Sequence, residues 1–190
     1  MQGKYAEAEP LYGRSQAIRE KVLGPEHPDV AQSLNNRAGL LYKQGKYDDA
    51  EPLYERSQAI RETVLGPEHP DVAQSLNNRA GLLSAQGKYA EADPLYLRAI
   101  EIVEKALGPD HPDLATLLNG RAVLLYNQEK HMEAIPLLEK ALSIRMKKFG
   151  GTHPATVSCQ NNLEAARQKV HPQRFSAGGG GWSFWRGFFR

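Results

Sequence analysis

Gly24-Pro-Glu-His-Pro-Asp-Val-Ala-Gln-Ser-Leu-Asn-Asn-Arg-Ala-Gly-Leu-Leu41 returns unchanged as Gly66 to Leu83. A looser copy runs from Gly108 to Leu125, and from Gly150 through Leu163 only the frame of Gly, His-Pro and Asn is kept. Each copy begins 42 residues after the last. A fixed period of this size marks an array of supersecondary units, each able to bury its apolar face only against its neighbours. Four units, 2–43, 44–85, 86–127 and 128–169, tile most of the chain. The first two differ only at Ala6/Asp48, Glu7/Asp49, Gly13/Glu55, Lys21/Thr63, Tyr42/Ser84 and Lys43/Ala85, so they are expected to fold alike.

Within each unit the apolar spacing is helical twice over. Tyr5, Ala8, Leu11, Tyr12, Ser15, Ile18 and Val22 recur at three and four, the stripe of an amphipathic helix that ends at Gly24-Pro25. His27-Pro28-Asp29 reads as the next helix start. Proline there lacks only a donor that would be unpaired anyway, and Asp29 faces the positive helix end. Val30, Leu34, Ala38 and Leu41 form the second stripe, and Gln44-Gly45-Lys46 allows a tight turn. In unit four this turn carries Glu129 instead of glycine, which predicts a poorer turn. Pro10, Pro52, Pro94 and Pro136 fall in the second turn of their helices, so these helices are expected to start late, near the alanine two residues earlier, or to begin with a bend. The pattern predicts an all-α chain with helices over 5–23, 28–43, 47–65, 70–85, 89–107, 112–127, 131–149 and 154–169. The first of them has no upstream partner, and its open apolar face suggests a fragment, a truncated gene model or an end covered by a partner. The more polar helix from Pro154 reads as a cap on the array.

Composition narrows the class. The 190 residues are 41% hydrophobic and 24% charged, within the range of soluble folded domains. The net charge of +2 dissolves on inspection, because Arg174, Arg186 and Arg190 sit in an acid-free end and leave −1 for everything before it. Such an array lacks the basic footprint that holds nucleic acid. Cys159 is alone, so neither a disulfide framework nor a cysteine-based zinc site is expected. No apolar run approaches the roughly 20 residues of a membrane span, and the polar start is no signal peptide. A soluble, cytoplasmic monomer is expected. Residues 170–190 form a separate end: the glycine run 178–181 reads as a flexible linker and Trp182-Ser-Phe-Trp-Arg-Gly-Phe-Phe-Arg190 as a disordered aromatic and basic tail. That tail is a read-through artefact, a weak interfacial anchor, or a segment that folds back into a groove.

Catalytic chemistry finds no footing. His27, His69, His111 and His153 occur one per unit, and helices stacked about 8–10 Å apart cannot bring four imidazoles onto one ion. They read as helix-start structure, His131 as a packing residue where the other units have tyrosine, and Cys159 as a small buried side chain. No phosphate loop occurs. No enzyme, metal or cofactor is expected.

Gln44-Gly-Lys-Tyr-Asp-Asp-Ala-Glu-Pro-Leu-Tyr54 resembles the turn and second helix of the tetratricopeptide repeat. The longer period, with Ala-Ile-Arg-Glu-x-Val-Leu-Gly-Pro-Glu-His-Pro-Asp-Val-Ala and Leu-Asn-Asn, is similar to the kinesin light chain type. The resemblance covers residues 2–169 and implies a right-handed superhelix of antiparallel helix pairs, a solenoid whose concave side is lined by the helices from Pro28, Pro70, Pro112 and Pro154. The coiled coil by which kinesin light chains join their motor is absent from this sequence. Arg37, Arg79 and Arg121 stand where the family usually has leucine. They are expected to lie along the core and pair with a helix carboxylate such as Glu51 or Glu62, rather than to form a ladder for an acidic ligand.

The polar face of the first helices carries the functional expectation. Gln32, Asn35, Asn36, Gly39 and Lys43 share one sector, repeated as Gln74, Asn77, Asn78 and Gly81 and, more weakly, at Asn119. Asparagine is a poor helix former, so a pair in mid-helix needs another reason. The alternatives are a solvated face copied by duplication and an amide ladder that holds an extended peptide, the position that contacts bound peptides in the resembled family. The glycines are expected to leave room for a ligand backbone, and Gly120 and Val123 to weaken the ladder, placing the best pocket across units one and two. Together these features predict a scaffold or adaptor that binds a short segment of a protein partner in the concave groove. A structural or sensor fragment of a larger multidomain protein, and a membrane-surface protein held by its aromatic tail, are the rival readings.

Overall fold

The computed structural model describes residues 2–171, which hold eight α-helices and no strand. The expectations for the aromatic tail and glycine linker lie outside the described residues. The helices are α1 (Gln2–Leu23), α2 (Pro28–Lys43), α3 (Tyr47–Leu65), α4 (Pro70–Ala85), α5 (Tyr89–Leu107), α6 (Pro112–Asn127), α7 (His131–Phe149) and α8 (Pro154–Val170). Only α1 departs from the spacing by more than a residue: Gln2 to Lys4 continue the helix rather than turning, since among the described residues no helix precedes them.

Local chemistry sets these boundaries. His27, His69, His111 and His153 are the N-caps of α2, α4, α6 and α8, in extended backbone, with proline at the first helical position. Each Nδ1 accepts the N–H two residues on, at 3.1 Å from Asp29 and Asp71 and 3.2 Å from Asp113 and Ala155. An imidazole thus satisfies the orphan donor usually met by Ser, Asp or Asn. At the other end of α2, the Lys46 N–H donates to the Leu41 carbonyl and Gly45 to Tyr42, both at 3.0 Å, the paired bonds of a Schellman turn. That motif demands a left-handed residue. Gly45 (φ 76°) and Gly87 (φ 78°) supply it cheaply, whereas unit four forces Glu129 to φ 62° in the same turn, with Lys130 donating to Leu125 at 2.9 Å. The turn without glycine therefore forms, with the strain loaded onto one side chain.

The second-turn prolines do not delay their helices. α3 begins at Tyr47, and Ala50 N–H already donates to the Lys46 carbonyl at 3.1 Å, with Pro52 inside the helix. The carbonyl that loses its donor belongs to Asp48, an exposed residue where water can replace it.

Helices α2, α4, α6 and α8 approach one another in series, whereas α1, α3, α5 and α7 make no close backbone approach to one another. The first set therefore lines the inner side of a curved array. The outer set is linked by long side chains instead: Glu20 with Arg56 at 2.7 Å, Glu62 with Arg98 at 2.8 Å, and Glu104 with Lys140. Exposed pairs like these contribute about 0–1 kcal/mol each, so they fix register more than stability.

The interior changes character along the array. From Val72 on α4 to Ala166 on α8 the buried apolar residues form one continuous cluster, but around α2 and α3 they fall into two small ones. Polar side chains interrupt the core there: Ser33, Ser57, Gln58, Arg61 and Ser75 are buried. In unit three the same positions hold Leu117, Ala99, Ile100 and Val103. Between the pairs, Tyr54 and Tyr96 enter the core, and burial pushes both phenols up to about 12. The Tyr96 ring lies against α6: a Cβ added at Gly120 would meet its Cε1 at 2.8 Å. At Gly81 an added Cβ would stand 3.8 Å from the Tyr96 Oη, an ordinary contact.

Three outcomes follow from this packing. Glu129→Gly should stabilise the chain by about 1 kcal/mol in urea titration, because glycine takes the left-handed turn without strain; a loss of stability would mean that the Glu129 side chain offsets its own backbone. Gly120→Ala should destabilise by about 1–3 kcal/mol through overpacking on Tyr96, whereas Gly81→Ala should be neutral or stabilising by up to about 1 kcal/mol; equal melting shifts for the two would contradict the geometry. In α1, Leu11, Ile18 and Val22 are 67%, 54% and 72% exposed, so amide exchange should be fastest in this helix; protection from Tyr5 onward equal to that of α4 would contradict this.

Candidate functional site

The inner helices bring the asparagines together in a way that spacing within one helix does not reveal. Asn35 is buried on α2, and Asn78 of α4 donates its Nδ2 to the Asn35 Oδ1 at 2.8 Å. Two units on, Asn162 of α8 donates to Asn119 of α6 at 3.1 Å. These bonds are rungs between neighbouring repeats. The rung between α4 and α6 is missing, because the residue that would reach Asn77 is Gly120. Asn77 there makes only a long 3.5 Å contact to its neighbour Asn78.

The remaining sector residues separate into three kinds. Asn36, Lys43 and Gln74 are exposed, and Asn77, Asn78 and Asn119 half-buried. Gln32 is spent at both ends of its amide, donating to Asn36 Oδ1 at 2.8 Å and accepting from Arg61 Nη2 at 2.8 Å. Gly39 and Gly81 are half-buried, and a Cβ added at either would meet only a tyrosine hydroxyl from the next helix, that of Tyr54 at 3.5 Å and that of Tyr96 at 3.8 Å.

Beneath this face lies a buried cation. Arg61 of α3 is 3% exposed, and its Nη1 donates to the Asp71 carbonyl at 2.9 Å, Ser75 Oγ at 3.0 Å and Gln74 Oε1 at 3.2 Å. Desolvation pulls its pKa down, opposed by the Asp71 charge. Full pairing is what makes such burial tolerable. Arg19 and Arg145 reach the corresponding carbonyls of Asp29 and Ala155 at 3.1 and 2.9 Å. Comparing all four units position by position was the signal that would have found this set.

Arg37, Arg79 and Arg121 do lie away from the inner face, but their partners are not Glu51 or Glu62. Each reaches back to the preceding outer helix: Arg37 to Gln16 at 3.3 Å, Arg79 to Gln58 at 3.3 Å and to Glu55, and Arg121 to both oxygens of Asp93 at 2.8 and 3.4 Å. Glu51 and Glu62 are taken by Lys88 and Arg98. Unit one carries Gly13 where unit two has Glu55, which leaves Arg37 a neutral partner.

His131 packs as expected, its ring 4.7 Å from that of Tyr126, much as Tyr47 lies 5.5 Å from Tyr42. Cys159 is buried, with its Sγ 3.6 Å from the Leu138 carbonyl, and burial pushes the thiol pKa up, away from reactivity. Among the described residues no helix is long and apolar enough to cross a membrane.

A cavity of 140 Å³ opens between α4 and α6, beside the missing rung. Gln74, Asn77, Val103, Asp113, Thr116 and Leu117 are among its walls. It spans units two and three, at the junction that the asparagine rung leaves unbridged because Gly120 stands in place of an asparagine.

Solved structures share this arrangement. BtubC (BKLC) from P. vanneervenii superposes with a TM-score of 0.77 at 26% identity, over 89% of this chain and 67% of that one. A putative kinesin light chain from Podosopora anserina with nearly identical TPR-like repeats gives 0.74 at 28% identity, over 92% and 83%. A single-residue variant of that same protein gives 0.75 at 28%, over 92% and 82%. No curated protein matches the sequence. The tetratricopeptide repeat family model matches residues 1–63, 29–102, 71–126 and 113–170. With helix pairs, capped starts and glycine turns recurring in one register beneath those matches, the chain belongs to the tetratricopeptide repeat family, whose members generally mediate protein–protein interactions and resemble here the kinesin light chain type.

Proposed function

We propose that the chain is an adaptor or scaffold module that holds an extended segment of a protein partner along the inner face of α2, α4 and α6. The observation that carries this reading is the row of accessible amides at Asn36, Asn77 and Asn78, repeated along helices that converge on one side. Side-chain amides present a donor and an acceptor together, which suits an uncharged peptide backbone. Likeness to kinesin light chain-type arrays supports the same reading. Asn35 and Asn119 act as supports from beneath, since each accepts a bond from the next repeat.

The test begins with peptides selected from a random display library on the full chain, followed by calorimetric titration of variants. Asn36→Ala and Asn77→Ala should each weaken binding by about 1–3 kcal/mol, the penalty for stranding a desolvated partner group, with little change in folding. Asn78→Ala should also lower stability by about 1 kcal/mol, because it strands the buried Asn35 oxygen. Unchanged affinity in the Asn36/Asn77 double variant would reduce this face to a solvated surface.

A further inference from the structure

The cavity between α4 and α6 coincides with the place that an arginine head occupies one repeat earlier. Arg61 lies between Gln32 of one inner helix and the Asp71 carbonyl, Gln74 and Ser75 of the next. Advancing each position by one 42-residue period gives Val103, Gln74, Asp113, Thr116 and Leu117, and all five line the cavity. Units one, two and four have Arg19, Arg61 and Arg145 here; only unit three has lost the guanidinium. Most of the acceptors around it remain: Gln74 and the Asp113 carbonyl keep their places and Thr116 stands where unit two has Gln74, while Leu117 replaces the serine. Gln74 shows the change: its counterpart Gln32 accepts from the next unit's arginine at 2.8 Å, whereas Gln74 finds valine there and takes a longer 3.2 Å bond from Arg61 in its own unit.

We infer that this cavity is a receptor for a guanidinium group, an arginine side chain supplied by the bound partner where the other repeats supply their own. The inference deepens the groove reading proposed above and rests on it for the source of the arginine. The chemistry of the walls favours that ligand. None of the lining residues is basic, and Asp113 is the one ionisable group among them. The Asp113 carbonyl matches the Asp71 carbonyl that binds Arg61, and Gln74 and Asn77 offer amide oxygens. Thr116 donates its hydroxyl to Pro112 at 3.3 Å and keeps its lone pairs for a donor. Val103, Leu117 and Ala73 give an apolar floor for the flat faces of the group and its stem. At 140 Å³ the space exceeds the roughly 30 Å³ share of one water and admits a planar head. A lysine ammonium, a compact point charge, cannot address several divergent acceptors as the guanidinium fork does.

Titrating the full chain with methylguanidinium, and separately with methylammonium at equal ionic strength, tests this by nuclear magnetic resonance. Saturable shifts at the Gln74 and Asn77 side-chain amides and the Thr116 N–H are expected, with methylammonium at least about tenfold weaker. Gln74→Leu and Asp113→Asn, on exposed residues, should each weaken methylguanidinium by about tenfold. Val103→Arg should abolish its binding by filling the cavity from within, and Val103→Arg/Leu117→Ser, which restores the serine acceptor of unit two, should do the same if the single variant folds poorly. Absence of saturable shifts, equal response to the two cations, or undiminished binding in Gln74→Leu/Asp113→Asn would overturn the inference. The display library separates it from the groove reading: selected peptides that bind without arginine and ignore Val103→Arg sink the cavity and leave the groove, whereas failure of every peptide sinks the groove and leaves the titration to decide the cavity.

Discussion

No helix pair in this chain can cover its own apolar surface, and the rest of the structure follows from that constraint. Leu34, Leu76 and Leu114 on the inner helices are fully buried, in clusters that draw their residues from more than one unit. Burying such a side chain is worth about 1.5–3 kcal/mol relative to exposure, so cohesion resides in the junctions between units as much as in the units themselves. The contrast lies in α1, whose one flank has no neighbour among the described residues: Leu11 remains mostly exposed although its copies Leu53, Leu95 and Leu137 are half-buried. Stability in such an array is a property of neighbours, and so is specificity.

The junctions are filled in two different ways. In the first two units the core is broken by a hydrogen-bonded set, Arg61 with Gln32, Gln74 and Ser75, and Ser57 with the Ala31 carbonyl at 2.7 Å. In the last two, Ala99, Ala141 and Leu117 replace serines and the apolar cluster becomes continuous. Apolar filling is indifferent to small slips, whereas a guanidinium with several fixed acceptors tolerates few positions. The near-identical units are therefore those whose register is held by polar contacts.

Most of the helix bounds were legible because glycine and proline punctuate every unit at the same offsets, and the physics of those two residues is local. The late start expected from proline did not occur in α3, where neighbouring helices hold the helix through Pro52 against a local preference. The asparagine rungs were hidden because Asn35 and Asn78 lie 43 positions apart, on helices whose adjacency no single-helix pattern can state. The neighbour of Gly39 was hidden in the same way, since the hydroxyl beside it belongs to Tyr54 of another helix. Val103 stood in plain sight among Arg19, Arg61 and Arg145, yet by itself a valine on an apolar stripe looks like ordinary core.

That last case bears on how repeat arrays acquire sites. In a protein without internal repetition, losing a buried arginine leaves unsatisfied acceptors, and the surroundings collapse or the fold suffers. Here α4 and α6 both pack against α5 and approach each other directly, so their placement does not depend on the missing side chain. Loss of the Arg61 counterpart at Val103, together with loss of the asparagine at Gly120, removes both the plug and the bridge of one junction while its walls stay in place. The frame that duplication copied is what keeps the cavity open, so the difference between repeats, rather than their likeness, carries the information about what the array recognises.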